Sequence, residues 1–200
     1  MNVPRHLLIW HALILIIAGP IVLAAFSPLL AWRDPIYIIA SFAGIIALAV
    51  LVAQPLLAFG LLPGVSPQQG RKMHRVLGAM LVVAVVTHVG GLWITSPPDV
   101  VDALTFTSPT PFSIWGVIAM WAVFGTAALA TFRKRLTLRR WRAVHGLFAL
   151  LIVAGTVVHA LQIEGAMEPF SKAALCLAAV VAMLWTVWKL RIWTLFKRKG

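Results

Sequence analysis

Six long apolar runs separated by short polar breaks take up nearly the whole chain, at about 7–31, 36–62, 73–94, 112–132, 141–163 and 170–190. Each is long enough to cross a hydrocarbon layer of roughly 30 Å as a helix rising about 1.5 Å per residue. The pattern predicts an all-α membrane protein, a six-transmembrane helix bundle forming a single domain over residues 1–200. The first run follows Arg5 and ends near Ala24 and Ala25, as a secretory signal does. Its apolar stretch exceeds the usual signal core, so it reads as a retained span. Pro20 and Pro55 fall inside the first two runs, where they predict kinks that neighbouring spans can absorb.

Composition supports the membrane reading: 62% of the residues are hydrophobic, only 11% are charged and the mean hydropathy is +0.97, which excludes a soluble globular domain. A formal net charge of +12 would suggest nucleic acid in another setting. Here the basic residues collect at span ends, as insertion alone requires, and no basic soluble domain exists to carry such binding, so no nucleic-acid partner is expected. They group around Arg71, Lys72 and Arg75, around Arg133, Lys134, Arg135, Arg139, Arg140 and Arg142, and in a tail with Lys189, Arg191, Lys197, Arg198 and Lys199. The intervening loops hold only Arg33 and Lys172, together with all five acids, Asp34, Asp99, Asp102, Glu164 and Glu168. The positive-inside rule then places both termini in the cytoplasm, in a cell (inner) membrane. The loop acids read as solvated rather than as a site for a cationic acceptor. Trp10, Trp32, Trp93, Trp115, Trp185, Trp188 and Trp193 read as aromatic belts, with core packing the default for Trp121 and Phe124. Cys176 is the sole cysteine, so no disulfide forms within the chain and the thiol reads as a packing residue.

The candidate chemistry lies in the third and fifth runs. His74 and His88 are fourteen residues apart, and so are His145 and His159. Fourteen helical steps return within about 40° of the starting face and climb roughly 21 Å, so each pair lies on one side of its helix with one imidazole toward each leaflet. The third and fifth spans run parallel, which sets His74 level with His145 and His88 level with His159. Ionisable groups inside a membrane are costly and by default mark a functional site. Four imidazoles in two levels point to haem ligation, with packing, a proton relay or another metal as alternatives. Zinc fits poorly, because no carboxylate or thiolate sits beside these histidines at short spacing. Small and apolar residues share their face: Gly78, Leu81 and Val85 in one span, Ala149, Ile152, Gly155 and Thr156 in the other, with Gly90 and Gly91 just beyond His88. Without a C-x-x-C-H motif any haem is non-covalent. Arg71, Arg75, Arg140 and Arg142, within a turn or so of His74 or His145, are candidates for inner haem propionate contacts. His6 and His11 lack partners of matching depth and read as interfacial or packing residues.

These residues resemble the ferric reductase-like transmembrane domain, shared by ferric-chelate reductases and NADPH oxidases. The likeness rests on six spans, on H-x13-H from His74 to His88 and from His145 to His159, and on the R-K-M-H-R and R-W-R-A-V-H segments that open those two spans. The resemblance implies two haem b groups, one ligated by His74 with His145 and the other by His88 with His159, passing electrons from the cytoplasmic to the outer side. It differs from family members with their own reductase module: no G-x-G-x-x-G and no flavin or nicotinamide site is expected in this chain. The expected donor is a cytoplasmic flavin reductase or a quinol, and the expected acceptor ferric chelate, oxygen or a periplasmic redox partner, with membrane lipid around the bundle. A second resemblance is to the haem-bearing membrane subunit of a periplasmic methionine sulfoxide reductase system, whose pattern lacks the histidine matching His74. A quinol-linked cytochrome b of another fold and a His-relay transporter are the remaining alternatives.

Overall fold

A computed structural model describes residues 4–190 and contains seven α-helices among them: α1 Arg5–Ala25, α2 Pro35–Ala58, α3 Pro67–Thr95, α4 Pro97–Leu104, α5 Pro111–Thr131, α6 Leu138–Gln162 and α7 Pro169–Leu190. Six are long and apolar enough to cross a membrane, and α4 is a short additional helix between α3 and α5. Trp193 and the tail residues Arg191, Lys197, Arg198 and Lys199 lie outside the described residues.

The helix starts follow local chemistry. Proline opens α2, α3, α4, α5 and α7, where its missing N–H costs nothing and its fixed φ suits the first turn. Ser66 and Gln69 form a reciprocal capping box: the Ser66 hydroxyl accepts from the Gln69 amide and Gln69 Oε1 accepts from the Ser66 amide. This start lies six residues ahead of the apolar run that marks the third span, because Arg71 and Lys72 are polar yet helical. The first span ends sooner than its apolar run, at Ala25, since Ser27 and Pro28 begin a separate 3-10 turn over Pro28–Leu30. Pro20 and Pro55 lie within continuous helices.

Helix α2 is the organising element. On one side it joins α1 and α7 in a cluster containing Ala24, Leu48, Val52, Leu175, Cys176 and Ala179. On the other, its Ala47, Val50 and Leu51 pack with Leu81 and Ala84 of α3, Ala122 and Val123 of α5, and Ile152 of α6. Cys176 is buried in the first cluster, as its apolar setting led one to expect. Elsewhere the outer surface is apolar, with Leu15, Val83 and Leu177 more than 60% exposed, the finish that lipid contact requires. Trp121 departs from the expected core packing. It is 59% exposed and meets Phe124 edge-on, so only Phe124 packs inward.

Candidate functional site

Helix α3 packs chiefly on α2, and α6 chiefly on α5, whereas the backbones of α3 and α6 make little direct contact among the described residues. The histidines bridge that interval. His74 stands seven residues into α3 and His145 seven into α6, and fourteen residues further along come His88 and His159. The ring centres of His74 and His145 are 6.1 Å apart with planes at 73°, and those of His88 and His159 are 6.4 Å apart with planes at 82°. Two imidazoles sharing one metal at about 2 Å per bond place their ring centres roughly 6 Å apart. Both separations therefore suit a single ion between the rings.

Hydrogen bonding orients three of the four rings. His74 Nδ1 lies 3.1 Å from the Gln54 carbonyl, His88 Nδ1 2.8 Å from that of Ala40, and His159 Nδ1 2.9 Å from that of Phe112. A carbonyl can only accept, so in each of these rings Nδ1 carries the proton and donates, leaving the Nε2 lone pair for a ligand. Metal-ligating histidines are commonly oriented in this way. His145 differs: its Nδ1 is buried without a hydrogen-bond partner, and its ring stacks on Trp141 at 4.9 Å and 17°. Arg133 in turn lies over the Trp141 ring.

Among the described residues no three His, Cys, Asp or Glu converge as a metal site. Histidines come in twos, a donor set too small for a bare zinc ion and suited to a cofactor that brings four equatorial nitrogens of its own. Leu81 and Ile152, each midway in sequence along its histidine pair, are buried in one cluster. Arg71, Arg75, Arg140 and Arg142 are all exposed on the first turns of α3 and α6, and Arg71 and Arg142 each precede a histidine by three residues. His6 and His11 stay apart from the four; His11 Nδ1 contacts the Leu7 carbonyl of its own helix.

The sequence offered no direct sign of the carbonyl acceptors, since main-chain oxygens carry no residue-type signature. Two glycines mark their places. A Cβ built on Gly44 would lie 3.0 Å from His88 Nδ1, and one on Gly116 only 2.7 Å from His159 Nδ1.

A multi-pass helical membrane protein whose axis carries two levels of facing imidazoles belongs to the class of membrane redox components. Residues 39–156 match the family described as ferric reductase like transmembrane component, and the chain belongs to that family. The match takes in His74, His88 and His145 and stops three residues short of His159. No curated protein and no solved structure matches the chain.

Proposed function

We propose that the chain is a di-haem b-type electron-transfer protein of the cell (inner) membrane, a single domain over residues 1–200 that carries electrons from a cytoplasmic reductant to an acceptor on the outer side. The observation that carries this reading is the two ring separations, 6.1 and 6.4 Å, at levels fourteen residues apart. A haem held at each level by its pair of histidines would supply one-electron transfer without binding substrate at the metal.

His74 and His145 hold the inner level, and His88 and His159 the outer. The Nδ1 donations to Gln54, Ala40 and Phe112 fix the ring planes and keep Nε2 basic. Arg71 and Arg142, supported by Arg75 and Arg140, receive the inner propionate carboxylates at the membrane surface. Leu81 and Ile152 keep water out of the interval between levels. The basic residues at the starts of α3 and α6 support a cytoplasmic inner level, with both termini on that side, by the positive-inside rule. The donor on this reading is a flavin reductase or a quinol, and the acceptor a periplasmic redox partner or ferric chelate.

The test is an absorbance spectrum of the purified chain, oxidised and then reduced with dithionite. The expected result is a low-spin bis-imidazole b-type spectrum that responds to reductant. A colourless chain that stays colourless after haem is supplied would overturn the reading.

A further inference from the structure

We propose that Gly44 and Gly116 are positioning residues for the outer histidines, each leaving a main-chain carbonyl of the neighbouring helix open to an imidazole Nδ1. The proposal rests on the haem reading given above. In an α-helix each Cβ leans toward the N-terminus, so the side chain of residue i+4 overhangs the carbonyl of residue i. Gly44 is the i+4 residue of Ala40, and Gly116 that of Phe112, the two carbonyls that accept from His88 and His159 at 2.8 and 2.9 Å. With no Cβ at either position, the imidazole occupies the space a methyl would take. A Cβ on Gly44 would lie 3.0 and 3.1 Å from His88 Nδ1 and Cε1, and one on Gly116 2.7 and 2.9 Å from the same atoms of His159.

The inner level supplies the contrast. There the i+4 positions hold alanine. His74 reaches the Gln54 carbonyl, with Ala58 four residues on, at the longer distance of 3.1 Å. Among the described residues His145 Nδ1 finds no hydrogen-bond partner.

The four positions fall in one internal register. Residues of α2 and α5 correspond 72 apart, Ala40 with Phe112, Gly44 with Gly116, Gln54 with Thr126 and Ala58 with Ala130. Residues of α3 and α6 correspond 71 apart, His74 with His145, His88 with His159, Leu81 with Ile152, and the capping Ser66 with Thr137. By that register the position matching Gln54 is Thr126 and the position matching Ala58 is Ala130, although no hydrogen bond joins Thr126 to His145 among the described residues. Glycine thus stands over both carbonyls that serve the outer histidines, and alanine over the one that serves His74 and at its register counterpart.

The consequence is an outer level with both Nδ1–H groups donated and both ring planes fixed, against one of two at the inner level. The test uses the full-length chain with Gly116→Ala, Gly44→Ala and, as a control, Gly19→Ala, whose Cβ would meet nothing within 4 Å. Haem per chain, the low-spin ferric EPR signals and the midpoint potentials of the two levels are measured. Gly116→Ala, with the tighter contact, is expected to weaken retention of the outer haem about 10–100-fold, the range seen when a ligand's orienting partner is lost. Gly44→Ala is expected to keep the outer haem with an altered EPR signal and a raised potential, the inner level unchanged. Gly19→Ala should match the parent chain.

A parent chain with two haems and a Gly44→Ala variant identical to it at both levels would overturn the proposal and leave the haem reading intact. So would a Gly44→Ala variant that disturbs the inner level as much as the outer, since the glycine would then serve helix packing alone. A parent chain without haem would remove the reading on which the proposal stands.

Discussion

Three of the four bundle histidines donate Nδ1 to a main-chain carbonyl, whereas among the described residues no hydrogen bond reaches His145 Nδ1 and its ring stacks on Trp141. The inner level should therefore depend on that stack. Trp141→Leu is expected to lower inner haem content several-fold while sparing the outer, and equal losses at both levels would show that Trp141 acts on the fold as a whole. The near-perpendicular planes within both pairs predict highly anisotropic low-spin ferric EPR signals, and a rhombic signal typical of parallel imidazoles would contradict the observed angles. Gln54 is buried with its Oε1 unpartnered, while its main-chain carbonyl serves His74. An unpartnered buried polar atom costs stability, so Gln54→Leu is expected to leave the thermal midpoint unchanged or raised; a fall of several degrees would mean that the amide has a partner when the cofactor is in place. At this scale the histidines were legible because helical periodicity fixes both face and depth. Their acceptors were not, although Gly44 and Gly116 recur in step with the histidines and could have been found by laying α2–α3 over α5–α6.

At the scale of the element, hydropathy located the spans and local hydrogen bonding set their limits. The third span begins at Pro67 rather than at the apolar Met73, because the Ser66–Gln69 box satisfies its first amides and lets polar residues join the helix. Replacing Ser66 with alanine is expected to cost about 1 kcal/mol, the usual worth of an N-cap, read as a lowered thermal midpoint. Helix α4 was invisible to a search for apolar runs: it is eight residues long and carries Asp99 and Asp102. The loop acids have local duties. Asp34 accepts from the amides of Ile36 and Tyr37, Glu168 accepts from those of Phe170 and Ser171, and Ser96 donates to Asp99. These contacts give Asp34 and Glu168 a helix-capping role that the sequence reading, solvated loop acids, did not include. Lys172 likewise donates to the Ile163 carbonyl at the end of α6.

For the whole molecule, two helix pairs, α2 with α3 and α5 with α6, present their histidines to each other across an interval that the backbones leave open. The six spans were readable from hydropathy, and the pairing of levels from the histidine spacing together with the parallel run of the third and fifth spans. The interval itself was not, since it depends on α2 holding α3 on one flank and α7 on the other. Leu81, midway in sequence between the histidines of α3, is buried in the cluster that joins α2, α3, α5 and α6, and Leu81→Ala is expected to cost about 2–5 kcal/mol through the cavity it leaves. The central claim is that each level is one site built by two helices. Haem counts per chain in paired variants test it most directly. His88→Ala combined with His159→Ala should lose one haem, no more than either change alone, whereas His74→Ala combined with His88→Ala should lose both. Retention of one haem by the His74→Ala, His88→Ala chain, or loss of both by the His88→Ala, His159→Ala chain, would contradict the account.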